Sequence, residues 1–133
     1  MKICWKAYTS NDLDRALSEC FCLYAYHHPS DGDRPFYIGK AKYFGTKQSD
    51  GYKASARYNS GYSYLIEGML RAGYTLYIAP IGQDAFANVE AYEQDLIAQW
   101  QPIRKQRIKP YRLPVSTQKP WMGVEVENQA SHA

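Results

Sequence analysis

Two aromatic, β-forming runs separated by a turn-forming segment constrain the fold of this chain more than any other feature. The first run is CFCLYAYHH at 20–28 and the second is FYIG at 36–39, with Gly39 expected to end the strand. The PSDGDRP segment between them is rich in proline, aspartate and glycine, the residues that form turns. The pattern predicts a β-hairpin with a fairly long loop.

Helical spacing appears on both sides of this hairpin. Residues 11–19 begin with acids, which oppose the helix dipole, and Thr9 or Ser10 can cap them, so a short helix is predicted. A second helix is predicted where apolar residues recur at i, i+3, i+4, i+7 and i+8, with Gly73 placed as its stop. Those residues are Tyr62, Leu65, Ile66, Met69 and Leu70.

The rest of the order follows from the third apolar run. YTLYIAPI at 74–81 predicts a strand, and a last helix is expected from a cap at Asp84 to Trp100, stopped by Pro102. Between the hairpin and the second helix, 40–60 has little periodicity and is expected to be mostly loop, with a helical turn near 53–58.

These elements predict a small α/β (mixed α+β) domain with a three-stranded antiparallel sheet flanked by helices. The chain of 133 residues is the size of one core. We expect residues 1–19 to be a flanking segment with a short helix, 20–109 to be the main domain, and 110–133 to be an arm or tail ordered in part through Trp121 and Met122.

Three cysteines near the N-terminus suit neither a disulfide framework nor a four-ligand zinc site. Cys20 and Cys22 lie two apart in a predicted strand, so we expect both to be reduced, buried side chains on one face. The sequence shows no signal peptide, no apolar span of membrane length and no lipidation pattern. The expected location is cytoplasmic, with no membrane partner.

The net charge of +3 is unevenly distributed. Six basic residues and one acid lie between Arg34 and Arg57, interleaved with aromatic residues, and the segment 104–112 carries five basic residues and no acid. Each block alone is typical of a solvated surface. Together they favour a nucleic-acid partner, because basic patches attract the phosphate backbone.

One acid of the last helix lies on its apolar side. Glu93 falls near the centre of the stripe formed by Phe86, Val89, Leu96, Ile97 and Trp100. A buried carboxylate without partners costs several kcal/mol, so Glu93 needs a cation, hydrogen bonds or a wet cleft. Two interpretations remain open: a structural ion pair with an arginine or lysine, or a single ligand for Mg²⁺.

The order of motifs resembles the GIY-YIG nuclease superfamily. The motifs are CLYAY, FYIGKA, an arginine ahead of an amphipathic helix, and EQDLIAQWQP, and they extend over about residues 20–109. In that family the catalytic glutamate lies in an E-x-x-L-I helix followed by a proline, a pattern matched by Glu93, Leu96, Ile97 and Pro102. The resemblance implies a GIY-YIG-like fold and phosphodiester hydrolysis.

The resemblance also implies a catalytic role for each matching residue. Tyr24 and Tyr37 would polarise or deprotonate the attacking water, and Lys40 would lower a tyrosine pKa or hold a phosphate oxygen. Arg57 would clamp the scissile phosphate, and Glu93 would hold a single Mg²⁺, with Mn²⁺ as a substitute. The residues expected to contact nucleic acid are Lys42, Lys53, Tyr62, Arg104, Lys105 and Arg107.

The chain departs from the family pattern in several places. CLY lacks the first glycine, and either Tyr24 or Tyr26 can be the first motif tyrosine, since both share a strand face. An insertion separates Gly39 from Arg57. Lys105 occupies the position where many members have asparagine, so either catalysis is weakened or Asn59 or another donor replaces that asparagine.

The resulting hypothesis is a metal-dependent endonuclease acting on DNA, with RNA as the alternative substrate. Specificity would come from the 42–56 insertion, the 104–112 segment, a homodimer or a targeting partner. The alternative hypotheses are a noncatalytic nucleic-acid-binding module on the same fold, and a protein-interaction module that uses Tyr62 to Leu70.

Overall fold

The computed structural model describes residues 1–53, 56–58 and 62–123. Within these ranges the chain forms six strands, two of them a short hairpin, and four α-helices, and two 3₁₀ turns accompany them at Ser10–Asp12 and Pro29–Asp31. In chain order the elements are β1 (Lys6–Tyr8), α1 (Leu13–Ala16), β2 (Cys20–His27), β3 (Tyr37–Tyr43), β4 (Lys47–Gln48), β5 (Gly51–Tyr52), α2 (Ser63–Arg71), β6 (Thr75–Pro80), α3 (Gln83–Phe86) and α4 (Val89–Trp100).

The main sheet is antiparallel with strand order β1-β6-β2-β3. The mixed class and the predicted hairpin of β2 and β3 are confirmed, and β6 pairs with β2 on the other side. The prediction of three strands is wrong, because β1 adds at the edge through pairs such as Ala7 with Tyr77. The strand β3 forms the opposite edge of this sheet.

Two predicted boundaries are also wrong. Strand β3 does not end at Gly39 but continues to Tyr43, because it pairs with β2 as far as Cys20. The last helix is interrupted: α3 ends at Phe86, and α4 starts after Asn88, whose φ of −112° and ψ of 20° are not helical. The helix α1 is likewise shorter than the predicted 11–19.

The segment between β3 and α2 contains a short hairpin where a loop was predicted. Strands β4 and β5 pair through Lys47 with Tyr52, and Lys47 forms an ion pair with Asp14 at the start of α1. Residues 54 and 55 of the predicted helical turn lie outside the described residues.

Hydrophobic cores cover both faces of the sheet. One face packs against α4 and includes Leu23, Ile38 and Leu96. The other face packs against α2 and includes Tyr24, Ile66 and Ile78. This division follows from the alternation of side chains along a strand, and it decides on which side of the sheet each candidate site residue lies.

The C-terminal arm packs on the α4 side. Val115 is buried in that core, and the Trp121 ring stacks on His27 with centroids 4.6 Å apart, while its indole N–H donates to the Asp33 carbonyl at 3.1 Å. Met122 is exposed. Trp121 therefore anchors the arm, whereas Met122, which was predicted to share this role, is exposed, and residues 124–133 lie outside the described part.

The three cysteines are free thiols, and Cys22 is buried as predicted. Cys20 is only partly buried, because it lies at the start of β2. Of the helices that the structure describes, none has the length and apolar character needed to cross a bilayer.

Candidate active site

The predicted catalytic residues lie on both faces of the edge strand β3. Tyr24 and Tyr37 point to the α2 face, since Tyr24 pairs with Gly39 and Tyr26 pairs with Tyr37. Lys40 is one residue further along β3, so its side chain points to the α4 face, where Glu93 is buried. The tyrosines of one face and the Lys40–Glu93 pair of the other face approach each other at the strand edge, beside Gly39 and Lys40.

Gly39 provides the space for this approach. A β-carbon at position 39 would lie 2.4 Å from Cζ and 2.5 Å from Oη of Tyr24. The phenol of Tyr24 therefore rests on the backbone of β3, which a side chain at position 39 would prevent. The structure places Tyr24, and not Tyr26, over this glycine.

Glu93 is buried on the apolar side of α4, as predicted, with 7% of its surface exposed. Its Oε1 accepts a hydrogen bond from Lys40 Nζ at 3.1 Å. Desolvation raises the pKa of the Glu93 carboxyl, and the Lys40 ammonium opposes that rise. The lysine side chain is 38% exposed, so solvent reaches the pair from the lysine side.

This ion pair bears on the two interpretations of Glu93. In this structure the charge partner is Lys40, and the pair has the form expected for the structural interpretation. A lysine that is more than a third exposed can be hydrated in place, so its removal from Glu93 costs less than breaking a fully buried pair.

Arg57 links the two faces at the strand edge. Its Nη2 donates to the Lys40 carbonyl at 3.3 Å, and its guanidinium lies 5.1 Å from the ring centroid of Tyr62. Its charge lowers the pKa values of both Tyr24 and Glu93. Arg57 Nε is buried and has no hydrogen-bond partner among residues 1–53, 56–58 and 62–123.

Burial constrains the chemistry of the hairpin phenols. Desolvation raises the pKa of Tyr24 well above its usual range, and Arg57 offsets only part of that rise. The same cause raises the pKa of Tyr26. Tyr24 is therefore a neutral hydrogen-bond donor at neutral pH. Lys40 does not serve to lower its pKa, because the ammonium binds Glu93 on the other face.

Cations extend along the whole edge of β3. Lys42 and Lys53 lie 5.5 and 5.3 Å from the ring centroid of Tyr43, at one end of the strand. Arg104 lies 5.4 Å from the ring of Tyr37 at the other end. The seven-residue strand spans about 20 Å, so these cations and Arg57 are spread over that length.

The remaining predicted contact residues differ in their setting. Lys105 and Arg107 are exposed and follow Arg104 along the chain, and Tyr62 is exposed at the start of α2. Lys53 is also paired with Asp50 at 3.1 Å, so part of its charge is already neutralised.

Two contacts near the candidate site were not predicted from the sequence. Gln106 binds the backbone of Ile38 twice: its Nε2 donates to the carbonyl at 2.7 Å, and its Oε1 accepts from the N–H at 2.9 Å. This amide follows Lys105 directly, and it closes the exposed edge of β3 beside the YIG motif. Arg34 donates to the Gln101 and Pro102 carbonyls at the end of α4, so this member of the first basic block is structural.

The position of Gln106 gave one indication of a role for this residue, because it lies one residue beyond the position where many family members have asparagine. Its partner Ile38 is 68 residues away, so the contact itself could not be read from the sequence. Asn59, the other candidate donor, lies outside the described residues.

The residues fit a weakly held Mg²⁺ ion. Glu93 is a single carboxylate, and its neighbour Glu90 is bound to Lys109. No group of three histidine, cysteine or acidic side chains able to hold an ion occurs in the described portion of the chain. Mg²⁺ commonly keeps several waters and binds through one or two carboxylates plus substrate phosphates, so a single carboxylate is compatible with such an ion.

Replacing Lys40 with methionine is expected to raise the pKa of Glu93 further, because Lys40 is the largest influence that lowers it. A carboxyl whose pKa is higher in the folded than in the unfolded protein makes the protein less stable as the pH rises through the folded-state pKa. The variant should match the wild type below about pH 4 and be less stable at about pH 8. Urea unfolding at both pH values and a ¹³C NMR titration of the Glu93 carboxyl measure this.

Lys42→Met is the matched control for this variant, because Lys42 is exposed on the same strand and lies beside Tyr43 instead of Glu93. It should leave the titration of Glu93 unchanged. An unaltered Glu93 titration in Lys40→Met would mean that the ion pair does not form in solution.

Comparison of the chain with protein-family models, with curated proteins and with solved structures gives no match.

Proposed function

We propose that this protein is a metal-dependent endonuclease that hydrolyses phosphodiester bonds in DNA. The observation that carries the proposal is the convergence of Tyr24, Arg57, Lys40 and Glu93 on the edge of β3 at Gly39. Phosphodiester hydrolysis needs a cation for the developing phosphorane charge, a positioned phosphate and an oriented water, and this set supplies side chains for each task.

Arg57 is the residue that positions the phosphate. Its guanidinium is held by the Lys40 carbonyl and by the face of Tyr62, which leaves its charge close to both Tyr24 and Glu93. A planar guanidinium can donate two parallel hydrogen bonds to one phosphate group. A phosphate bound there has the phenol of Tyr24 on the α2 side and the carboxylate of Glu93 on the α4 side.

The two phenols take different tasks. Tyr24 Oη keeps its proton, because burial raises its pKa, and donates it in a hydrogen bond to a nonbridging phosphate oxygen. Tyr37 is partly exposed, and its Oη would accept a hydrogen bond from the attacking water and so orient it, while the proton of that water would leave to bulk solvent.

Glu93 is the residue that would hold Mg²⁺, or Mn²⁺ in its place. The ion would supply Lewis-acid stabilisation of the leaving oxygen. To leave Glu93 free for the ion, Lys40, whose side chain is 38% exposed, would turn toward solvent, where its ammonium would bind a neighbouring phosphate oxygen. The cations at both ends of β3 hold the flanking nucleotides.

A noncatalytic nucleic-acid-binding module is the second candidate, and one observation favours it. Glu93 already has a protein cation at 3.1 Å, and such a pair would keep the fold and its basic edge without any metal. This candidate shares the DNA-binding surface with the first and lacks turnover.

The test is incubation of supercoiled plasmid with the purified chain in Mg²⁺, Mn²⁺, Ca²⁺ or EDTA. The proposal predicts nicked or linear plasmid with Mg²⁺ or Mn²⁺ and intact plasmid with EDTA. Salt-sensitive DNA binding without cleavage in any metal would identify the binding module instead. An RNA strand of the same sequence, assayed in parallel, shows which nucleic acid is cut.

A further inference from the structure

A pocket opens on the α2 face beside the candidate active site. Its volume is about 110 Å³, and it lies between the hairpin and the first two turns of α2. The residues that give it its chemical character are Phe36, Tyr37, Arg57, Tyr62, Leu65 and Arg104. Three of them are aromatic, two are arginines and one is an aliphatic side chain at the rim.

The two arginines of this pocket are ordered by aromatic rings. Arg57 lies over Tyr62 at 5.1 Å and Arg104 lies over Tyr37 at 5.4 Å, so each guanidinium contacts a ring on the pocket wall. No acidic side chain lines the pocket in the part of the chain that the structure describes. A ligand with a flat, π-rich body and a negative group matches this combination of rings and unopposed positive charge.

We propose that this pocket receives an unstacked nucleobase of the strand being cut, so that the preferred substrate is DNA with an unpaired nucleotide beside the scissile phosphate. This inference rests on the proposed endonuclease function. Arg57 contributes to both the active site and the pocket, so a phosphate held by Arg57 places its own or the adjacent base at the pocket mouth.

A paired base cannot use this pocket. The bases of an intact duplex are stacked inside the helix, so a base must leave the stack to reach the rings and arginines of this pocket. Unpairing costs least where the nucleotide is already mismatched, bulged or single-stranded. The pocket therefore selects for the local structure of the DNA without reading its sequence.

The test measures binding separately from cleavage. A short fluorescein-labelled duplex with one bulged nucleotide is compared with the fully paired duplex, by fluorescence anisotropy in Ca²⁺ or EDTA. The wild type is expected to bind the bulged duplex about tenfold more tightly, a preference consistent with stacking of one base on aromatic side chains.

Leu65→Trp is designed to fill the pocket, because Leu65 lines it and is 48% exposed at its rim. It should reduce the preference to less than twofold and leave affinity for the paired duplex unchanged. Tyr64→Trp is the matched control: Tyr64 neighbours Leu65 on α2, is 88% exposed and is not part of the pocket lining, so the preference should persist.

Two results would overturn the inference: equal wild-type affinities for the two duplexes, or a preference that persists in Leu65→Trp. Neither would affect the endonuclease proposal if plasmid is nicked in the presence of Mg²⁺. If the chain binds neither duplex and does not nick plasmid, both proposals fail together.

Discussion

Replacing Glu93 with glutamine is expected to reduce Mg²⁺-dependent nicking by at least about a thousandfold. Glutamine has nearly the same shape but no charge, so it would hold a divalent ion far more weakly than the carboxylate. Metal-ion catalysis contributes several kcal/mol of transition-state stabilisation, and each 1.4 kcal/mol corresponds to about a factor of ten in rate. Initial nicking rates of supercoiled plasmid, measured at saturating Mg²⁺, give the comparison.

The same variant is expected to fold at least as stably as the wild type at neutral pH. Burial raises the pKa of Glu93, so its ionised form costs folding free energy at any pH above its folded pKa. Glutamine removes that cost, and the partner Lys40 is exposed enough to be hydrated. Loss of activity together with retained stability is typical of residues selected for function.

Glu19→Gln is the matched control, because Glu19 is the other buried glutamate of the described chain. Its carboxylate accepts a hydrogen bond from the Tyr8 hydroxyl and forms an ion pair with Lys6 at 3.3 Å. These contacts lie far from Gly39 along the sheet. We expect it to lose about 1–3 kcal/mol of stability and to keep its nicking activity. Undiminished nicking by Glu93→Gln would contradict the proposed metal site.

The elements that the sequence predicted well are those fixed by local patterns. The hairpin of β2 and β3 has turn residues between two β-forming runs, and α2 has a helical apolar stripe that ends at Gly73, whose φ is 98°. The strand β1 carried no such signal. Its three residues become a strand only because β6, some 70 residues away, offers an edge to pair with.

The candidate site also combines features that local sequence patterns predicted with features that they could not predict. The burial of Glu93 followed from its place on the apolar stripe of α4, a local property. The identity of its charge partner could not be predicted in this way, because Lys40, Arg57 and Lys109 were all available cations. Only the alternation of side chains along β3 points Lys40 to the α4 face, where it pairs with Glu93. The bonds of Gln106 to Ile38 are equally long-range and depend on the path taken after Pro102.

The register of the hairpin decided a further point that spacing left open. Tyr24 and Tyr26 share a strand face, so either could have been the motif tyrosine. Pairing of Tyr24 with Gly39 puts its ring against the one residue without a side chain on that part of β3. The glycine of the YIG motif is thus explained by packing in the protein itself.

Gly39→Ala is expected to destabilise the protein by about 3 kcal/mol, at the upper end of the usual cost of overpacking. The added methyl would lie within 2.5 Å of the Tyr24 ring, far inside contact distance. That ring cannot move aside readily, because it packs against the rings of Tyr26, Tyr37 and Phe44 at centroid distances of 5.9, 6.3 and 5.5 Å. Urea unfolding followed by circular dichroism measures the change.

Gly68→Ala is the matched control for this substitution. Gly68 lies inside α2, and a β-carbon there would meet no atom within 4 Å beyond its chain neighbours and the backbone of its own helix. Alanine should therefore stabilise the protein by about 0.5–1 kcal/mol through its better helix propensity. The two glycine-to-alanine changes are thus expected to act in opposite directions. If Gly39→Ala were as stable as the wild type, the Tyr24 phenol could not rest on the edge of β3, and the arrangement that brings it to Arg57 and Glu93 would be wrong.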